Sequence, residues 1–254
     1  MPEQTGPAVA FDGVTRRYAG AAAVDDVTLE VAGGSFVALV GTSGSGKSTL
    51  LKMVNRLVEP SAGRVTVDGR DVGAEPAPLL RRRVGYVFQN VGLFPHMTIA
   101  ENIAVPLRLA GTEDAARVAE MLDLVELPRD LGARMPDELS GGQRQRVGVA
   151  RALASGPKLL LMDEPFGALD PVTRDVLGAA IRALHDRLGL TTVLVTHDMA
   201  EALLLAERVL VMQAGRIVAD ETPRALVAGS GGAAAQALVA VPREQARRMA
   251  GLEA

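Results

Sequence analysis

The stretch that most constrains this chain is Gly41-Thr42-Ser43-Gly44-Ser45-Gly46-Lys47-Ser48-Thr49. It has the G-x-x-x-x-G-K-[ST] spacing of a phosphate-cradling loop. Glycine reaches φ > 0 and lets backbone approach an anion closely. Successive backbone N–H groups in such a loop form an anion-binding nest. Lys47 is placed to reach the β- and γ-phosphates of a nucleotide, and the Ser48 hydroxyl to ligate Mg²⁺. The flanks agree. Phe36 to Val40 reads as a buried strand and Ser48 to Val58 as a helix, whose dipole favours negative charge at its N-terminus. With strand before and helix after, nucleotide binding outweighs the competing reading, a Gly/Ser-rich turn.

A chain of 254 residues, 48% hydrophobic, has room for one large α/β domain or one domain with an inserted lobe. No run of about 18 apolar residues occurs, so no transmembrane helix is expected. Met1 to Pro7 lacks a basic region and an apolar run, so no signal peptide is expected. There is no Cys, hence no disulfide framework and no thiolate metal site. Together these point to a cytoplasmic protein. A net charge of −3 argues against a dominant nucleic-acid surface, and 3% aromatics are too few for a base-stacking platform.

Val9 to Tyr18, Val27 to Val31 and Phe36 to Val40 read as short strands broken by turns such as Asp12-Gly13 and Gly33-Gly34. Gly63 to Gly69 alternates with period two and ends in an Asp-Gly turn signal. An antiparallel β layer beside the phosphate-loop strand follows. Arg83 to Phe88 is a further strand. From Asn90 to Ser155 the pattern turns helical, with helices over Glu113 to Leu127 and Gln143 to Ala154. Leu159 to Met162 and Thr191 to Thr196 read as strands buried on both faces of a parallel sheet. Pro171 to Leu188 and Asp198 to Ala206 are helical. Arg208 to Met212 and Arg216 to Ala219 are late strands. Gly229 to Ala235 reads as a Gly/Ala-rich hinge before a short tail. The expected division is a nucleotide-binding domain over 1–228, with a helical subdomain at about 90–158, then a tail over 229–254.

Asp163 and Glu164 stand at the carboxyl end of the Leu159 strand, where α/β sheets place their ligands. Beside a phosphate loop, Asp163 is suited to hold Mg²⁺ in the outer shell and Glu164 to polarise an attacking water. The alternative is a strand that ends in polar residues. Leu139-Ser140-Gly141-Gly142-Gln143 follows the same dual pattern. Ser140 and Gln143 have capping-box spacing, while Gly141 and Gly142 suit close approach of backbone N–H groups to an anion.

With a phosphate loop upstream and Leu-Met-Asp-Glu downstream, Leu139 to Gln143 resembles the signature of ATP-binding cassette (ABC) transporter ATPases. The resemblance covers about Val9 to Asp220. It implies a P-loop NTPase core, a mixed sheet flanked by helices, with an antiparallel β layer and an inserted helical subdomain. It implies ATP and Mg²⁺ as ligands. Tyr18 resembles the aromatic that stacks on adenine; a half-buried strand tyrosine is the alternative. Gln89 resembles the glutamine that contacts Mg²⁺ and the attacking water and senses a membrane partner. Gly167-Ala168-Leu169-Asp170 resembles the D-loop, though Asp170 before Pro171 is also a helix N-cap. His197 resembles the switch histidine at the γ-phosphate, or else it is a loop residue ahead of the Asp198–Glu201 cap pair. His96 and His185 read as surface or helix-packing residues.

The resemblance also implies assembly. Two cassettes stack head to tail, Ser140 and Gly142 of one capping the γ-phosphate held by Gly41 to Thr49 of the other. Integral-membrane permease subunits dock beside Gln89, on Leu93, Phe94, Pro95 and Met97, and a substrate-binding protein acts indirectly. Such a subunit is peripheral on the inner face of the membrane. The stretch from Val87 to Thr98 resembles importers of quaternary-amine osmoprotectants such as glycine betaine, carnitine or choline. Many ATPases of that group carry a C-terminal pair of CBS domains, for which this sequence has no room. Other readings are an importer ATPase for an amino acid or other polar nutrient, a soluble non-transport ABC ATPase, and a P-loop kinase.

Overall fold

The computed structural model describes residues 5–167 and 169–251. The sequence readings on Met1 to Gln4, on Ala168 and on the last three residues lie outside them. In chain order the strands and α-helices are β1 (Val9–Tyr18), β2 (Ala21–Val31), β3 (Phe36–Val40), α1 (Lys47–Val54), β4 (Ala62–Val67), β5 (Arg70–Asp71), α2 (Ala77–Arg82) and β6 (Val84–Val87). Then follow α3 (Ile99–Ala110), α4 (Ala115–Leu124), α5 (Gly141–Leu153), β7 (Leu159–Asp163), α6 (Pro171–Leu188) and β8 (Thr191–Thr196). The last are α7 (Met199–Leu205), β9 (Arg208–Gln213), β10 (Arg216–Glu221), α8 (Pro223–Val227) and α9 (Gly232–Ala250). The chain divides into two compact units. One holds residues 73–192 with 32–34 and the N-terminal residues to Pro7; the other holds 8–31, 35–72 and 193 onward.

The second unit carries the phosphate loop. Its antiparallel sheet has the order β2-β1-β4-β5. Apolar residues at every second position, Val9 and Phe11 on β1 and Val27, Leu29 and Val31 on β2, turn one face inward. Asp12-Gly13 is not a turn. β1 runs through it with a register shift between Phe11 and Val14, and the Gly13 N–H donates to Thr28 Oγ1 at 3.0 Å. The segment is a β-bulge, which keeps the strand continuous. Asp68-Gly69 is the expected two-residue turn, with Val67 paired to Arg70. The other sheet of this unit sets β10, β9, β3 and β8 side by side. β3 and β9 are parallel, Val37 opposite Arg208, and every residue of β3 is buried, which explains its unbroken apolar run.

Helix α1 stops at Val54, four residues before the expected Val58. Arg56 takes φ +56°, Asn55 Oδ1 accepts from Leu57 N at 3.2 Å, and Leu57 N and Val58 N both turn back to Lys52 O. The side chain of Asn55 thus competes with the helix for its own backbone. The Gly/Ala-rich run shows another difference. It is helical from Gly232, and α9 buries Ala235 and Val239, so the tail is packed against its unit.

In the first unit β6 and β7 are parallel, Tyr86 opposite Leu161 and Val87 opposite Met162. Helices α3, α4 and α5 bury Ile99, Ile103, Leu107, Val118, Met121, Leu122 and Val147. α3 opens on a reciprocal capping box: Glu101 N donates to Thr98 Oγ1 and Thr98 N to Glu101 Oε2. α4 is shorter than Glu113 to Leu127, capped by Asp114 and ended by Glu126 at φ +56°. His185 is buried and its Nδ1 lies 2.9 Å from Thr192 Oγ1, a packing residue, while His96 is exposed beside the Phe94 ring.

The segment from Gln89 to Thr98 has no regular structure, so its backbone polar groups need partners elsewhere. Asn102 on α3, 0% exposed, supplies them. Its Nδ2 donates to the carbonyls of Phe94, Met97 and Thr98 at 3.0–3.1 Å, and its Oδ1 accepts from Phe94 N at 2.8 Å. From α5, Arg151 donates to Val91 O at 2.5 Å and to Gly92 O at 2.8 Å. Asn102→Ala removes four hydrogen bonds and should cost about 3 kcal/mol of stability. Urea unfolding of the two proteins measures this; equal midpoints would show that the segment needs no such clamp.

Candidate functional site

The phosphate loop is built by close packing within its own unit. Gly41, Gly44 and Gly46 have φ values of +152°, +78° and +106°. Two of the three also have no room for a side chain. A Cβ on Gly41 would lie 2.2 Å from the Met212 carbonyl oxygen on β9, and one on Gly46 2.1 Å from the Ala23 carbonyl oxygen on β2. Gly44 differs: nothing lies within 4 Å of its Cβ position. That open tip is where a ligand has space. Lys47, 4% exposed, donates from Nζ to Gly41 O at 2.8 Å and Thr42 O at 3.0 Å. The Ser45 hydroxyl is buried without a hydrogen-bond partner. α1 begins with Lys47, Ser48 and Thr49 and has no side-chain cap, so its N-terminal dipole is offered to an anion.

Two further sequence candidates belong to this unit. Tyr18 ends β1 and is 44% exposed; the Arg16 guanidinium lies 4.5 Å from the ring centroid and covers one face. His197 is exposed directly after β8. Behind it Asp198 caps α7, its Oδ1 accepting from Ala200 N at 2.8 Å and Glu201 N at 3.4 Å, while the Glu201 carboxylate accepts from the Thr196 hydroxyl at 2.5 Å.

The first unit carries the carboxylates. Asp163 is the last residue of β7 and 2% exposed. Its Oδ2 accepts from the Tyr86 hydroxyl at 3.2 Å. Burial, and then the negative charge of Asp163, push the Tyr86 phenol well above its ordinary range, so it remains a proton donor. Glu164 Oε2 accepts from Gln89 Nε2 at 3.2 Å. Glu164 takes φ +47° and precedes Pro165. A non-glycine residue in that region costs roughly 1–2 kcal/mol, and such strain collects at functional positions. The adjacent carboxylates thus have separate partners. Oxygen donors of this kind suit a hard cation such as Mg²⁺.

The Ser140 to Gln143 stretch realises its capping reading in full. Gln143 N donates to Ser140 Oγ at 3.2 Å and Ser140 N to Gln143 Oε1 at 2.9 Å. Gly142 has a packing reason of its own, since a Cβ there would stand 2.3 Å from Thr173 Cγ2 on α6. Glycine at position 142 thus serves helix packing as well as any approach to an anion. Gly141 opens α5 beside it. Asp170 caps α6, accepting from Thr173 N at 3.0 Å ahead of Pro171, and hydrogen bonds from Thr173 hold its carboxyl below the usual range. Three residues that the sequence reading passes over bear on these groups. Tyr86 needs a partner for its hydroxyl in an apolar strand, which is a signal. Asn102 is a polar residue on the buried Ile99–Ile103 face, which is another. Arg151 carries no signal; its partners lie some 60 residues away along the chain.

The ABC transporter family model matches residues 24–167. A carnitine transport ATP-binding protein of Listeria monocytogenes (serotype 1/2a, strain 10403S) is 50% identical over 84% of this chain and 55% of its own length. A choline transport ATP-binding protein of Bacillus subtilis (strain 168) is 49% identical over 84% of this chain and 57% of its own. A sulfate/thiosulfate import ATP-binding protein of Thermosynechococcus vestitus (strain NIES-2133 / IAM M-273 / BP-1) is 48% identical over 85% of this chain and 64% of its own. The chain thus spans little more than half the length of the curated relatives it matches first. Among solved structures, a dimeric ATP-binding cassette in a post-hydrolysis state, bound to ADP and Pi, is 34% identical, with a TM-score of 0.78 over 85% of this chain and 99% of that one.

The two kinds of glycine in the phosphate loop separate in a stability measurement. Gly44→Ala should lose only the left-handed backbone penalty, about 1–2 kcal/mol. Gly46→Ala adds an overpacking cost of about 1–3 kcal/mol and should unfold at clearly lower urea. Equal midpoints would mean that the Ala23 carbonyl yields without cost.

Proposed function

The chain belongs to the ABC transporter family, and from that premise we propose that it is the ATP-hydrolysing subunit of an import system. The observation that carries the reading is the Gly41–Thr49 loop, with an uncapped helix N-terminus behind it and open space over Gly44. In this reading the loop backbone cradles the phosphates, and Lys47 Nζ exchanges its two loop carbonyls for phosphate oxygens. Thr42, Ser43 and Ser45 complete the cradle. The exposed face of Tyr18 takes the adenine ring. Ser48, Gln89 and Asp163 are the residues that would hold Mg²⁺, which would supply positive charge to the phosphates. Glu164, aimed by Gln89, orients the attacking water and accepts its proton, and His197 meets the γ-phosphate.

The assembly reading follows. Two cassettes pair, identical or different, with Ser140 to Gln143 and Asp170 of one against the nucleotide of the other; the dimeric cassette bound to ADP and Pi supports this. Permease subunits dock on the Gln89–Thr98 segment, where Phe94 is exposed, and a substrate-binding protein acts through them. Among the described residues no helix is long and apolar enough to cross a membrane, which fits a cytoplasmic subunit held at the membrane by its partners. The carnitine and choline transport relatives support a quaternary-amine osmoprotectant as cargo, as does the Gln89–Thr98 stretch. The sulfate/thiosulfate relative is only slightly less identical. Identity across a cassette reports the ATPase more than the solute, because other subunits touch the solute.

Three measurements test this. Lys47→Ala should abolish turnover; normal ATPase activity in that variant would end the phosphate-loop assignment. Glu164→Gln keeps the size and one hydrogen-bonding oxygen. It should bind MgATP, lose about 10²–10⁴-fold in rate, and elute as a dimer with ATP in size-exclusion chromatography. A variant that hydrolyses ATP normally as a monomer would remove Glu164 from the chemistry. Uptake of labelled glycine betaine, carnitine and choline should fall in a deletion strain at high osmolarity. Unchanged uptake of all three would reject the cargo and leave the ATPase standing.

A further inference from the structure

We propose that the Tyr86 hydroxyl is a positioning group for Asp163 and thereby sets how tightly Mg²⁺ is held. This rests on the reading that the chain binds MgATP. β6 and β7 are parallel and Val87 stands opposite Met162, so Tyr86 and Asp163 occupy the same end of neighbouring strands. The hydroxyl reaches across to Asp163 Oδ2 at 3.2 Å. A carboxylate only 2% exposed cannot rely on water and needs donors from the protein.

The phenol is held in place. Its ring packs against Phe88 with centroids 4.6 Å apart and planes at 60°, so the hydroxyl cannot swing away without breaking that contact. The same strand end holds the neighbouring carboxylate, since Gln89 donates to Glu164 at 3.2 Å. One strand end therefore supplies one neutral donor to each carboxylate. A neutral donor orients Asp163 and satisfies one oxygen without removing its charge, which is what a carboxylate facing a cation requires. Hydrogen-bond partners behind metal-binding groups typically matter by about 10–100-fold in metal affinity or activity.

Tyr86→Phe keeps the ring and its contact with Phe88 and removes only the hydroxyl. Binding of a non-hydrolysable ATP analogue by the wild type and the variant is measured by calorimetry over a series of MgCl₂ concentrations. The half-saturating Mg²⁺ should rise about 10-fold in Tyr86→Phe. The metal-free affinity for the analogue should be unchanged, and turnover should recover at high Mg²⁺. A wild-type Mg²⁺ dependence in Tyr86→Phe, with or without a lower thermal midpoint, would make the hydroxyl structural and overturn the proposal. If the wild-type protein itself binds the analogue without regard to Mg²⁺, the MgATP reading fails first and the Tyr86 role falls with it.

Discussion

Two backbone carbonyls, those of Ala23 on β2 and Met212 on β9, decide the shape of the phosphate loop. They stand where side chains of residues 46 and 41 would have to go, so the loop can close only with glycine at both positions. The loop is then fastened at its other side, where Gly215 N donates to Ser45 O at 3.0 Å. The conformation is thus braced by packing within the unit. That is the arrangement expected of a site that binds an anion without reorganising. Lys47 fits the same logic. A buried ammonium has to be hydrogen-bonded, and two loop carbonyls serve it in positions that a phosphate can replace.

The carboxylate pair depends on a different constraint. Two adjacent residues at a strand end point different ways, so one environment cannot serve both. Asp163 is enclosed and bonded to a phenol; Glu164 is partly exposed, bonded to an amide, and held at φ +47°. The strained backbone turns Glu164 away from the direction that a continuing strand would give it. That separation suits one group for a cation and the other for a water.

What was legible in the sequence was local. The phosphate loop, the buried strands and the caps at Ser140 and Asp170 each follow from residues within a few positions of one another. The errors are of two kinds. Some are left-handed residues that no glycine announces, Arg56 after α1 and Glu126 after α4, so both helices end sooner than their apolar spacing implies. Others are non-local. Asp12-Gly13 reads as a turn because a bulge differs from a turn only by what pairs across it, here Thr28. Tyr86 and Arg151 act on partners about 60 to 77 residues away, and no window on the sequence shows that. The glycine pair at 141 and 142 illustrates the overlap: the motif is legible, yet one of its residues also answers to Thr173.

The segment from Gln89 to Thr98 shows why such long-range contacts matter. Its backbone is satisfied from α3 through Asn102 and from α5 through Arg151, and Gly148 on α5 makes room for Val91, whose Cγ1 would lie 2.7 Å from a Cβ there. Its shape is therefore a property of those two helices more than of the strand it leaves. α5 is also the helix that opens at the Ser140–Gln143 capping box. The backbone of Phe94, whose ring is exposed, is bonded to Asn102 of α3. Val91 is bonded to Arg151 and fits against Gly148, both on α5. Gln89, at the start of the segment, is bonded to Glu164. The segment thus joins, by direct contact within one unit, the surface proposed for a permease, the helix proposed to cap a nucleotide, and the carboxylate proposed to aim the water.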